Sequence, residues 1–151
     1  MEEMQRMKLE ISILFVLLWF AAACGGANPS TNMGTGETVA SQDPMLKKGQ
    51  KVYRAHCMAC HQKEGTGVLR MNPPLIQTEW VLGDKARLIG IILNGFEGEI
   101  EVDGVTYNSI MNSFSYLSDE EISALLTYVR QSFGNDASPV TSDEVAAVRK
   151  P

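Results

Sequence analysis

The sequence predicts an all-α fold, three main helices with one small hairpin among them, and two observations carry that expectation. Three segments with apolar residues at helical spacing are each opened by a capping residue: Asp43 ahead of Pro44, Asp84 ahead of Lys85, and Ser118 ahead of Asp119-Glu120-Glu121. The one clear β signal is Val102-Asp103-Gly104-Val105, an Asp-Gly turn between β-branched residues. At 151 residues, 44% of them hydrophobic, the chain suffices for one small domain with extensions.

The first segment differs in kind. Residues 11–23 are almost wholly apolar and run into Cys24-Gly25-Gly26. This stretch falls short of the about 20 residues a helix needs to cross a bilayer, so it reads as the apolar region of a secretory signal. Glu2, Glu3 and Glu10 outnumber Arg6 and Lys8, whereas a start at Met7 gives a more ordinary leader. Ala21-Ala22-Ala23-Cys24 resembles a bacterial lipobox, with alanine where leucine is usual at Ala21. That resemblance implies cleavage after residue 23, a lipidated Cys24 as the mature N-terminus, and an exported protein held to a membrane on the periplasmic side.

Residues 25–42 are rich in Gly, Ser, Thr and Asn and offer little to bury, which reads as a flexible tether from Cys24. Its r.m.s. reach is about 20–25 Å. The whole chain carries net charge −5, and losing the leader leaves −4. A mildly acidic surface argues against nucleic acid as a partner.

Asp43 and Pro44 open the first helix, which runs to about His56 and places Lys47, Lys48, Lys51 and Arg54 on its outer face. It leads into Cys57-Met58-Ala59-Cys60-His61. In C-x-x-C-H two thiols one helical turn apart add to the two vinyl groups of a haem, and the adjoining histidine faces the iron. A thioredoxin-like pair would instead follow a strand in a βαβ unit. A zinc site would have to draw on His56, Cys57, Cys60 and His61, six successive positions that cannot close a tetrahedron.

The turn-rich loop from Gln62 to Gly67 is followed by Asn72-Pro73-Pro74-Leu75. Trp80 stands just ahead of the second helix, whose apolar face is Leu88, Ile91 and Ile92 and which Asn94-Gly95 stops. The hairpin then delivers the chain to Met111. Ser118 with Glu121 three residues on forms a capping box for the last main helix, expected over 122–133 with Ile122, Leu125, Leu126, Val129 and Phe133 as its stripe and Gly134-Asn135 as its stop. The tail, 136–151, reads as a loop and a short helix from Ser142 to about Arg149, docked along the domain edge.

Over roughly residues 44–134 these features resemble the class I cytochromes c. The resemblance implies a cytochrome c fold in a domain spanning 43–135, one covalent haem c per chain, and electron carriage without an enzymatic step. Gly49 and Tyr53 match the family's first-helix contacts to the last helix, with Leu125 and Tyr128 as partners. Pro73, two residues before Leu75, matches the proline whose carbonyl accepts a hydrogen bond from the axial histidine, His61. Met111 matches the second axial ligand, fifty residues after His61, in Met-Asn-Ser-Phe where the family usually has Met-Pro-x-Phe. The other candidates are tied elsewhere: His56 and Met58 to the attachment segment, Met71 to the proximal loop, Met33 and Met45 upstream.

Tyr107 opens the Met111 loop and joins the expected haem contacts. For Trp80 three roles stay open, packing on the haem, donating to a propionate, or filling the core. The implied partners are redox proteins, a dehydrogenase, reductase or oxidase. The rival reading is a five-coordinate haem sensor or peroxidase-like enzyme in which Met111 only packs. It would want a distal histidine or arginine, and neither Arg70 nor Arg87 sits in a supporting motif.

Overall fold

Residues 43–150 are described in the computed structural model; the expected leader, Cys24 and the tether lie outside them. Helix α1, Pro44–His56, begins where the Asp43 carboxylate accepts from the Met45 N–H. It buries Leu46, Gly49, Val52 and Tyr53 and leaves its four basic residues in solvent. The four-residue α2, Met58–His61, follows at once. After a long loop come α3, Glu79–Leu82, capped by Thr78, and α4, Lys85–Asn94, capped by Asp84 and ended by Gly95 at φ 77°. The short α3 is absent from the sequence expectation, since four residues carry no periodicity.

Strands β1, Ile100–Val102, and β2, Val105–Tyr107, pair antiparallel in the register Ile100 to Tyr107 and Val102 to Val105. Asp103 and Gly104 both have positive φ, 51° and 78°, as a tight primed turn requires. Helix α5, Asp119–Gln131, carries the expected capping box at Ser118 and Glu121. It stops two residues short of the predicted end because Ser132 is already extended, at φ −118° and ψ 177°, and Phe133 follows at φ 59°. That turn lays the Phe133 ring on Tyr53, with centroids 5.3 Å apart, and over Gly65. An α-helical Phe133 would continue the stripe, but the aromatic contact across to α1 wins.

Helix α5 is covered on both sides. Its apolar side, Ile122, Leu125, Leu126 and Val129, joins the core with Val52 and Tyr53 of α1 and Leu88, Ile89 and Ile92 of α4. Its other side is polar in sequence, yet Ser123 and Thr127 are buried because their hydroxyls donate to the Val140 carbonyl at 2.9 and 3.1 Å. Helix α6, Ser142–Arg149, therefore does more than lie along an edge: Val140 and Val145 are in the main core, at 2% and 0% exposure. The boundary expected at 135 divides no core. Arg149 fastens the tail by pairing with Asp119 at 2.6 Å and donating to the carbonyls of Ser115 and Leu117.

Candidate functional site

Cys57 forms the joint between α1 and α2, its N–H bonded to the Tyr53 carbonyl at 2.8 Å. This junction sets Cys57, Cys60 and His61 along one wall of an apolar cleft. Both thiols are free, Cys57 buried and Cys60 exposed. Burial, with Cys60 beside it, pushes the Cys57 thiol up to about 12, so it stays uncharged at neutral pH. The cleft's empty space, counting the part open to solvent, is about 1280 Å³. Leu125, Leu126 and Val129 of α5 and Leu88 and Ile92 of α4 also line it.

His61 is 9% exposed and its Nδ1 lies 3.0 Å from the Pro73 carbonyl oxygen. With Nδ1–H donating there, Nε2 is the nitrogen left with its lone pair. Burial lowers the His61 pKa and the Pro73 contact opposes that shift, which leaves a neutral imidazole at neutral pH. The carbonyl is held in place by a folded loop: Gly67 donates to the His61 carbonyl at 3.0 Å, Val68 and Asn72 form a bridge, and Leu75 donates to the Gly65 carbonyl at 2.8 Å. Gly67, at φ 63°, is packed so closely that a Cβ would stand 2.6 Å from the Pro73 oxygen.

Met111 lines the same cleft. Its N–H and carbonyl bond to Phe96 at 2.8 and 2.9 Å, while downstream the Phe114 N–H bonds to the Ile92 carbonyl and the Ser113 hydroxyl to the Leu93 carbonyl. These bonds to the end of α4 and the chain just beyond it constrain the loop where Met-Asn-Ser-Phe lacks the family's proline. Tyr107, buried at 5%, and Trp80 also line the cleft.

The Trp80 indole N–H, however, donates to the Glu101 carbonyl at 3.3 Å. Its ring packs edge-on against Phe96 and under the Arg87 guanidinium, 4.6 Å from the ring centroid. In this structure β1 takes the indole donor, and the ring lines the cleft. Arg70 and Arg87, the basic residues considered for a distal role, are not among the cleft's lining residues.

Two polar residues support the site in roles their sequence context did not signal. Asn135 accepts from the Gln77 N–H at 2.6 Å and donates to the carbonyls of Leu75 and Val129 at 2.9 and 2.7 Å, which ties the proximal loop to the end of α5. The Ser109 hydroxyl donates to the Met71 carbonyl and joins the proximal loop to the Met111 loop. Both read in sequence as ordinary turn residues, because the partners that tie them to the proximal loop lie 38 to 60 positions away.

The family model described as Cytochrome c matches residues 46–133. The chain belongs to the cytochrome c family. The match takes in the attachment segment, both loops and α5 of this cytochrome. Among its relatives, cytochrome c-552 of Thermus thermophilus is 38% identical over 110 residues, 67% of this chain and 83% of that protein. The cytochrome c subunit of alcohol dehydrogenase (quinone) from Gluconobacter oxydans is 30% identical, with 67% of this chain matching 22% of that subunit. A cbb3-type cytochrome c oxidase subunit of Azospirillum brasilense is 34% identical over 55% of this chain and 27% of its own length.

The family implies covalently bound haem c and electron carriage. The donor set of this cytochrome fits that group: two free thiols a turn apart, a buried neutral imidazole with one nitrogen engaged, a thioether, and an apolar cleft.

Proposed function

We propose that this cytochrome is a single-haem carrier with His61 and Met111 as axial ligands, passing electrons between membrane or periplasmic redox partners. The observation that carries the reading is that His61 and Met111, fifty residues apart, line one cleft from two separately pinned loops. When bound, the haem supplies a one-electron ferric/ferrous couple. Cys57 and Cys60 would retain it covalently. His61 offers Nε2, and the Pro73 carbonyl fixes the ring and raises its basicity. The Met111 thioether and the apolar lining favour the ferrous state and raise the potential relative to a second imidazole. With His61 and Met111 both holding the iron, substrate would have no place on it.

Visible and near-infrared spectra of the haem-loaded protein beside Met111→Ala test the ligation. A weak ferric sulfur-to-iron band present in the parent and lost in the variant supports it. A high-spin parent, or one that binds carbon monoxide without the mutation, overturns it and favours the sensor or peroxidase-like alternative.

The partner reading is supported by the relatives that are dehydrogenase and oxidase subunits, and it extends to a membrane anchor at Cys24 on the periplasmic side. Palmitate labelling of expressing cells checks the anchor: label should enter the parent and be absent from Cys24→Ser. An unlabelled parent would remove the anchor from the proposal.

A further inference from the structure

Arg130 is 3% exposed, and its guanidinium is spent on backbone oxygen. Nε donates to the Ser138 carbonyl at 2.8 Å, Nη1 to the Val81 carbonyl and, at 3.4 Å, to that of Gly83, and Nη2 reaches the Ser138 hydroxyl at 3.5 Å. Among the described residues no carboxylate lies within ion-pair distance of it. Glu144, the acid whose field it feels, is itself paired with Lys85 at 2.9 Å and bonded to Thr141. A guanidinium does not lose its proton in a protein. Arg130 is therefore a fixed positive charge with no carboxylate in ion-pair contact, Glu144 acting on it only from farther off.

Its position makes the charge matter. Val81, whose carbonyl it holds, is 1% exposed and lines the cleft, and so does Val129, its neighbour on α5. Arg130 and Val81 are both nearly excluded from solvent, so the charge is screened less than a surface charge would be. Three carbonyl contacts and one to a hydroxyl engage the guanidinium with neutral acceptors, which do not cancel its charge. A structural clamp alone would need the hydrogen bonds but not the uncompensated cation.

We infer that Arg130 is a potential-setting residue: its buried, unpaired charge against the Val81 wall biases the haem in this cleft toward the reduced state. Electron uptake removes one positive charge from the cleft, so a nearby fixed cation stabilises the product of reduction over its precursor. The inference deepens the electron-carrier reading and needs haem in the cleft, but it does not depend on which residue is the sixth ligand.

The test is equilibrium redox titration of the haem-loaded full-length protein as Arg130→Met, Arg130→Lys and Ser138→Asp, with thermal midpoints and ferric spectra recorded on each. Arg130→Met should lower the ferrous-to-ferric ratio at fixed applied potential by at least about threefold. Arg130→Lys, which keeps the charge and loses part of the clamp, should melt earlier yet stay near the parent ratio. Ser138→Asp sets a carboxylate beside the intact guanidinium and should lower the ratio while leaving the carbonyl bonds in place, which decides the matter even if Arg130→Met fails to fold. Equal falls in both Arg130 variants with Ser138→Asp unmoved would make Arg130 a clamp only and overturn the inference. Unchanged spectra across the set separate this outcome from a loss of Met111 ligation.

Discussion

Gly49 of α1 faces the carbonyl of Ala124 in α5 with no room for a side chain: a Cβ there would collide with that oxygen and stand 2.6 Å from the Tyr128 Cβ. Helix propensity alone favours alanine over glycine by about 1 kcal/mol. Overpacking a contact of this kind costs about 1–3 kcal/mol, and here the obstacle is backbone, which cannot rotate away. The packing term wins, so Gly49→Ala should lower unfolding stability by about 2 kcal/mol in denaturant titration of the haem-loaded protein. A stabilised variant would mean that α1 and α5 sit farther apart.

Gly67 governs the other side of the site. At φ 63° an alanine is strained by about 1–2 kcal/mol, and its Cβ would push on the carbonyls of Asn72 and Pro73. The second of these accepts from His61. Gly67→Ala should therefore do two things: lower stability by about 2 kcal/mol, and raise the midpoint potential, because a weaker His61–Pro73 bond leaves a less basic imidazole and a less stabilised ferric state. Gly65→Ala is the control. Its Cβ would meet the Phe133 ring at 2.8 Å, so it should destabilise without the same rise in potential.

What was legible in the sequence was what local chemistry encodes. Asp43, Asp84 and Ser118 each accept from the first turn of their helix, because an N-cap depends on the next three residues and nothing else. The Asp103-Gly104 turn is local in the same way. Gly49 and Tyr53 were legible only through resemblance, since their meaning is the partner helix. The end of α5 was misplaced because a residue on the apolar stripe, Phe133, leaves helical geometry to reach Tyr53. Trp80 was open among three roles because the acceptor of its indole, the Glu101 carbonyl, belongs to a hairpin 21 residues away. The roles of Arg130 and Asn135 were silent for a related reason: backbone carbonyls are their partners, and every residue has one.

Tyr53 links α1 to the loop that follows the haem attachment. Its hydroxyl donates to the Gln62 carbonyl at 2.5 Å and the residue is 1% exposed. Burial, with smaller contributions from Cys57, Tyr128 and Glu64, raises its pKa well above the ordinary value near 10. The folded state thus holds this proton where the unfolded chain releases it. The contribution to stability is complete below about pH 10 and declines as pH rises from there toward the raised folded value. Tyr53→Phe should be less stable at pH 7 through the lost hydrogen bond, by about 1 kcal/mol, and should flatten the decline above pH 10. Unfolding free energies at intervals between pH 7 and 12 measure both, and parallel curves for parent and variant would assign the alkaline decline to other groups.

Asn135 joins the proximal loop to the core through three bonds made by one side chain, to Gln77, Leu75 and Val129. Truncating it leaves one N–H and two carbonyls without that partner at a site that is 7% exposed, and each group so orphaned costs about 1–3 kcal/mol. Water entering the gap recovers part of this, which puts Asn135→Ala at about 3 kcal/mol less stable. The loss should be local before it is global. Gln77 and Leu75 belong to the loop that carries Pro73, so amide exchange should quicken across 65–77 ahead of α1 and α5, and the axial histidine's hydrogen bond should loosen with it. Asn135→Asp discriminates the donor from the acceptor role: it keeps the bond to the Gln77 N–H and turns a carboxylate toward two carbonyl oxygens, so it should be as damaging as alanine or worse. If Asn135→Asp matched the parent, the two carbonyl contacts would carry no weight and the clasp would reduce to the single bond at Gln77.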